Sequence, residues 1–261
     1  MRKRSKQLKP FFAGLIMIPI MMAVLFSVLK FFTPPTIKFP TVLAIYSDFI
    51  GSFSDQSVRN AILSTGEYVL ISSVVSIFCG VLLSFLLNVN KRVWKVAEPF
   101  IDFLRSIPIT FFIPAFAVIL GVSSPTIVWL LAVIPSTLII LVNVSYGIRE
   151  QNISRLHHYQ LLSGKKSATS SFFKVTVYEV LPAFISGFKI ALSYSIVIVT
   201  VLEYMQMGNQ IGLGGLVYDE MEHLNYKRVY SIIMMVGLIG YAFNLVIDKL
   251  FTKYYSNYDL L

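Results

Sequence analysis

Charge is what this sequence has least of. Only 13% of its residues are Asp, Glu, Lys or Arg, against about 25% in ordinary soluble domains. Between Ser106 and Gly147 there is no charged residue at all. Apolar residues make up 56% of the chain and the mean hydropathy is +0.73, which excludes a soluble globular fold. Cysteine is as scarce. Cys79 stands alone, so no intrachain disulfide can form and the redox compartment is left open.

Enzyme motifs are missing too. Gly164-Lys165-Lys166-Ser167 ends like a phosphate-binding loop, but the glycine required five residues earlier is Tyr159, and Lys166 replaces Ser or Thr. Gly212-Leu213-Gly214-Gly215 sits in no strand–helix unit and is no dinucleotide fingerprint. His157 and His158 are adjacent, so on a helix they point about 100° apart and do not share a metal. Glu222 and His223 near Asp219 follow neither the H-E-x-x-H nor the carboxylate-loop pattern. No metal or cofactor site is expected in this chain.

What is present is hydrocarbon-spanning length. A bilayer core about 30 Å thick needs roughly 20 apolar helical residues. Six runs meet that need, at about 11–29, 68–89, 107–122, 126–146, 180–202 and 229–251. The uncharged stretch supplies the third and fourth, with Gly121 to Pro125 as the turn between them. The first run is too long for the apolar core of a signal peptide, and no A-x-A-like cleavage site follows, so it reads as a retained span. In the second run Ser72, Ser76, Gly80 and Ser84 recur every fourth residue and mark one face for close helix approach.

Sorting Lys and Arg by connection gives the orientation. Arg2 to Lys9, Lys91 to Arg105, Arg149 to Lys174, and Lys249 with Lys253 fall on one side. The other side holds Lys30, Lys38, Arg59, Lys227 and Arg228 together with the acidic cluster Asp219, Glu220 and Glu222. The positive-inside rule then places both termini in the cytoplasm. The net charge of +9 is this bias, not a nucleic-acid surface. The chain is expected to be one all-α, six-span membrane domain over residues 1–261.

Ionisable groups near a membrane are costly and therefore informative. Arg105 stands at the cytoplasmic mouth of the third span, Lys189 about one third of the way into the fifth, and Glu203 at its far end. Each reads either as an interfacial anchor or as part of a pathway or gate. Pro108 and Pro114 each remove a backbone donor in the third span, and broken backbone at membrane depth needs protein or a water-filled cavity around it. That span is expected to be interior, interrupted twice, and beside a pathway.

Three segments then resemble a known family. "EPFIDFLRSIPITFFIPAFAVILG" is similar to the proline-rich third-span region of binding-protein-dependent ABC importer permeases. "LLSGKKSATSSFFKVTVYEVLPAFISGFKIALSYSIVIVTVLEYM" resembles their cytoplasmic coupling loop and fifth span, ending in Glu203 where the family also has Glu. "IGLGGLVYDEMEHLNYKRVYSIIMMVGLIGYAFNLVIDKLF" resembles the Gly-Leu-Gly segment and last span. The subgroup most similar serves sulfonates, taurine, nitrate and thiamine-type precursors.

The resemblance implies a type I importer permease fold in the cell membrane. It implies a partner ATPase subunit carrying ATP and magnesium, an extracytoplasmic solute-binding protein, and a second permease copy, identical or related. The family's coupling loop reads Glu-Ala-Ala, three residues, Gly. Anchored on Leu181-Pro182 without a gap, those positions fall on Ser163, Gly164, Lys165 and Thr169, so the motif is degenerate. A second alignment takes Gly164 as the glycine and places His158, Tyr159 and Gln160 on Glu-Ala-Ala. The loop, about 149–178, would still offer Leu161, Leu162 and Phe172 as apolar anchors for an ATPase groove. Asp219, Glu220 and Glu222 would face the binding protein. A membrane scaffold that has lost ATPase coupling is the alternative. A secondary transporter or channel fits less well, because carboxylates stand only near span ends.

Overall fold

The computed structural model describes residues 4–33, 39–151, 161 and 175–255, the side chains of 4–16, 18 and 252–255 excepted. Among the described residues there is no strand. The helices are α1 (Arg4–Phe32), α2 (Val42–Ser52), α3 (Gln56–Asn88), α4 (Lys91–Ser106), a 3₁₀ turn (Ile109–Phe112), α5 (Ile113–Leu120), α6 (Pro125–Glu150), α7 (Val177–Tyr204), α8 (Leu213–Glu222) and α9 (Tyr226–Tyr255).

Local chemistry sets several of these boundaries. Before α3, the Asp55 carboxylate accepts from the Ser57 N–H at 2.9 Å. Before α4, the Asn90 amide oxygen accepts from the Arg92 N–H at 2.9 Å. Such caps satisfy donors that a helix start leaves unpaired. Pro125 opens α6, where its missing N–H costs nothing. Gly121 closes α5 at φ 83°, a conformation that suits glycine.

The core is the packing of α3, α6 and α7. Lipid tails are as apolar as leucine, so helices associate through close contact and hydrogen bonds rather than through the hydrophobic effect. The Ser72–Ser84 stripe does this work on α3. Ser76 Oγ donates to the Val133 carbonyl of α6 at 3.3 Å. A Cβ at Gly80 would stand 2.8 Å from Ile140 Cβ, so only glycine admits that approach. Ser136 of α6 and Ser195 of α7 hydrogen-bond at 2.9 Å, and Asn88 donates to Ser145 at 2.8 Å.

Helices α3, α6, α7 and α9 are long and apolar enough to cross a bilayer. The first expected apolar run lies inside the continuous helix α1. The region expected as a third span differs. It is a 3₁₀ turn followed by the eight-residue α5, and it meets α4 at 83°. Pro108 marks this bend. Pro114 does not interrupt a helix: it lies in the first turn of α5, where a proline is tolerated. Within this chain the segment is not interior either, since Phe111, Val118 and Ile119 are exposed while Ile113 is buried.

Candidate functional site at the proline break and a buried carboxylate

A cavity of about 460 Å³ opens where the chain bends at Pro108. Arg105, Pro108 and Thr110 line it from the break, Leu131 and Pro135 from α6, and Tyr194 and Val201 from α7. Its wall is mainly apolar, with a few polar groups at Arg105, Ser106, Thr110 and Tyr194. That is the character of a small-solute site. The bend shapes the space: α4 and α5 diverge by 83°, and the cavity lies between their junction and the faces of α6 and α7.

Two of the five expected pathway residues, Arg105 and Pro108, are brought to this cavity. Pro114, Lys189 and Glu203 are absent from its lining. Arg105 lies 3.6 Å from Asp102 one turn earlier. Lys189 instead forms an ion pair with Asp248 of α9 at 2.6 Å.

Glu203 is buried within the chain: its relative accessibility is 2%. Its neighbours explain how a carboxylate survives there. Thr65 Oγ1 of α3 lies 2.9 and 2.8 Å from the two carboxylate oxygens and donates to them. The Gly214 N–H at the start of α8 donates to Oε2 at 3.1 Å. Thr65 Oγ1 in turn accepts from the Leu213 N–H at 2.9 Å. A buried charge needs such partners to offset its lost hydration. A Cβ at Gly212 would overlap the carboxylate, and one at Gly214 would overlap the Thr200 carbonyl oxygen. The knot thus ties α3, α7 and α8 together one residue beyond Leu202, which itself lines the cavity.

At the same end of the molecule, charges pair across helices. Arg228 of α9 binds Asp55 and approaches Glu220 of α8 at 3.5 Å. Lys227 reaches Asp48 of α2 at 3.1 Å. The hydrogen bonds from Arg228 and Ser57 hold the Asp55 carboxyl at about 2, below the usual carboxylate range. Of the expected docking residues, Glu220 is therefore engaged inside the chain, also accepting from Asn225 at 2.7 Å. Glu222 is exposed and accepts from the Tyr218 hydroxyl at 2.8 Å. Asp219 is half-buried. Among the described residues no group of three His, Cys, Asp or Glu side chains could hold a metal.

Of the expected ATPase contacts, Leu161 is helical and exposed. Leu162, Ser163, Gly164, Lys165, Thr169 and Phe172 lie outside the described residues. The sequence reading missed Thr65, Tyr194 and Val201. A signal for the first existed: a Gly-x-Gly run outside any nucleotide fold marks a place where another group approaches backbone closely.

Residues 72–254 match the family described as binding-protein-dependent transport system inner membrane component. The nitrate import permease protein NrtB of Leptolyngbya laminosa is 24% identical over 200 residues, which is 76% of this chain and 69% of that protein. The formylaminopyrimidine transport permease protein ThiX of Halalkalibacterium halodurans is 28% identical over 180 residues, 66% of this chain and 68% of its own length. Among solved structures, an inward-facing MetNI methionine ABC transporter superposes with a TM-score of 0.62 at 17% identity, covering 74% of this chain and 94% of its counterpart. An amino acid ABC transporter gives 0.55 at 14%, covering 81% and 94%. These likenesses establish the fold. Together with the family match they identify a multi-pass inner membrane protein: the chain belongs to the binding-protein-dependent transport system inner membrane components, the permease subunits of ABC importers, whose ATPase is a separate subunit.

Proposed function

We propose that the cavity at the Pro108 break is part of the translocation pathway, and that residues 149–178 drive it. One observation carries this reading. The two helices joined by residues 151–176, α6 and α7, are also two walls of the cavity. They are fastened to each other by the Ser136–Ser195 bond. A pull on the connecting segment reaches both walls through rigid helices. Alternating access needs such a lever.

In this reading the chain crosses the membrane six times with both termini cytoplasmic, supported by the Lys/Arg distribution. It pairs with a second copy or a related subunit, which completes the pathway over the exposed Ile190, Tyr194 and Val197 face of α7. The binding protein docks at the opposite end near Asp219 and Glu222. It delivers a small solute; nitrate and formylaminopyrimidine, named for the two relatives, are the first two to test. The Glu203 knot holds the docking helix α8 to the cavity wall α7.

The ATPase groove takes Leu161, Leu162 and Phe172, with Lys165 on its rim and Ser163, Gly164 and Thr169 in place of the family motif. Buried apolar anchors dominate affinity, whereas rim charges mainly tune association. Leu161→Asp with Leu162→Asp should release the ATPase subunit in pull-downs and abolish uptake, while Lys165→Ala should weaken binding only slightly. A double variant that keeps its ATPase and transports normally would place the contact elsewhere.

A further inference from the structure

Helix α4 has three faces, and they meet their surroundings differently. Trp94 and Ile101 are buried against Leu141 of α6. Next to them, Val93, Val96, Phe100 and Phe103 point outward, with accessibilities of 45%, 80%, 62% and 61%. On the third face run Lys91, Lys95, Glu98, Asp102 and Arg105, at the spacing of one helical stripe. The acidic members of that stripe are neutralised: Glu98 by Arg149 at 3.4 Å and Asp102 by Arg105. Lys91, Arg92 and Lys95 are exposed, and no ion pair engages them among the described residues.

Those three cations crowd the start of the helix, whose first turn contains no acidic residue. A helix start carries partial positive charge and favours anions. The sequence places cations there instead, so this end of α4 calls for an external counter-charge. The geometry also suits a surface. The helix turns 83° away from the segment that follows it, so it lies across that segment rather than continuing its direction.

We propose that α4 lies in the membrane interface and binds anionic phospholipid headgroups through Lys91, Arg92 and Lys95, with Val93, Val96, Phe100 and Phe103 sunk among the acyl chains. An amphipathic helix with an apolar stripe and flanking cations binds membranes in this manner, and anionic lipid strengthens the binding. The consequence reaches the cavity. Residues Leu104 to Pro108 at the end of α4 line it, so headgroups that fix α4 also fix that wall. The consequence for transport rests on the permease reading; the lipid contact does not.

The test uses the full chain in nanodiscs of equal parts phosphatidylcholine and phosphatidylglycerol, with spin-labelled forms of each lipid reporting occupancy of the protein's lipid shell. The wild-type chain should favour phosphatidylglycerol. Lys91→Gln, Arg92→Gln and Lys95→Gln together should remove that preference, at about fivefold per cation at low salt. Lys249→Gln, an exposed cation on α9, should leave it intact. An unchanged preference in the triple variant overturns the proposal. So does a triple variant that keeps its lipid preference but sheds the ATPase subunit, which would make α4 a protein-docking face. Disulfide formation between two copies carrying Val96→Cys in a Cys79→Ser background would put a second copy there and overturn it equally. In a second arm, uptake by the whole complex should rise with phosphatidylglycerol for wild type and not for the triple variant. A complex that transports under neither condition tells against the permease reading while the lipid result stands.

Discussion

The two ends of this molecule handle charge in opposite ways. At the α8 end, Glu203, Asp55, Asp48, Glu220, Lys227 and Arg228 are turned toward one another or toward backbone donors. At the α4 end, Lys91, Arg92 and Lys95 are exposed beside a bare Val/Phe stripe. The first end therefore carries its stability within the chain, because each buried charge has its partner built in. The second is addressed outward, and on the lipid-contact proposal its position depends on what surrounds it. A lever needs both: a firm joint at one end and an end that responds to partners.

The firmest part of that contrast should break at Gly214. A Cβ there would overlap the Thr200 carbonyl oxygen and crowd the Tyr204 N–H of α7. Neither is a flexible side-chain end, so α8 must move and the Glu203 bonds must stretch. Gly214→Ala should cost about 3 kcal/mol, the upper end of overpacking penalties, read as a lowered thermal midpoint of the purified protein in detergent. Gly237→Ala makes the control: it opens into free space and should leave the midpoint unchanged or slightly raised. Equal midpoints for wild type and Gly214→Ala would mean that the knot is slack and that the α8 end is no firmer than its opposite.

The sequence made the long elements legible because composition and period suffice for them. The apolar runs locate α3, α6, α7 and α9, and the fourfold Ser/Gly spacing identifies the α3 face that packs on α6. Short elements were less visible. Helices α2 and α8 are too short for an apolar run to reveal, and the amphipathic nature of α4 was hidden because Lys91, Arg92 and Lys95 had been read only as topological markers. Pairings were invisible for a physical reason. Thr65 and Glu203 stand 138 positions apart, Asp55 and Arg228 stand 173 apart, and one sequence states residue types without stating which meet. Pro114 was misjudged because a proline breaks a helix interior but fits a helix start, and the start had not been located.

A smaller effect should separate the two ends by acid. Asp55 is held at about 2 by its bonds to Arg228 and Ser57, whereas an unfolded-chain aspartate titrates near pH 4. A depressed carboxyl stabilises the fold above about pH 4. That contribution is lost as pH falls through about 2. Asp55→Asn preserves the cap but removes the charge facing Arg228. It should lower stability at neutral pH by at most about 1 kcal/mol, since the pair is partly exposed, and the gap from wild type should close in acid between those two values. A gap that persists at the lowest pH would show that Asn is a poor cap here and that the ion pair contributes nothing.

The smallest expected effect lies at the α4 end, in a contact that α4 makes inward. The Arg149 guanidinium stands 4.4 Å from the centre of the Trp94 ring while also holding Glu98. This contact joins α4 to the last turn of α6, where the proposed ATPase segment begins. Arg149→Lys keeps the charge for Glu98 but loses the flat stacking surface. It should cost only about 0.5 kcal/mol, too little to read from a melting curve alone. Trp94 reports on it directly. The chain has two tryptophans, so a Trp129→Phe background isolates Trp94, whose buried ring should emit at longer wavelength once the lid over it loosens. Anionic vesicles should partly reverse that shift if headgroups hold α4 in place from outside. A shift of the same size in neutral and anionic vesicles would mean that the α4 end, like the α8 end, is set from within the chain, and the contrast between the two would fall.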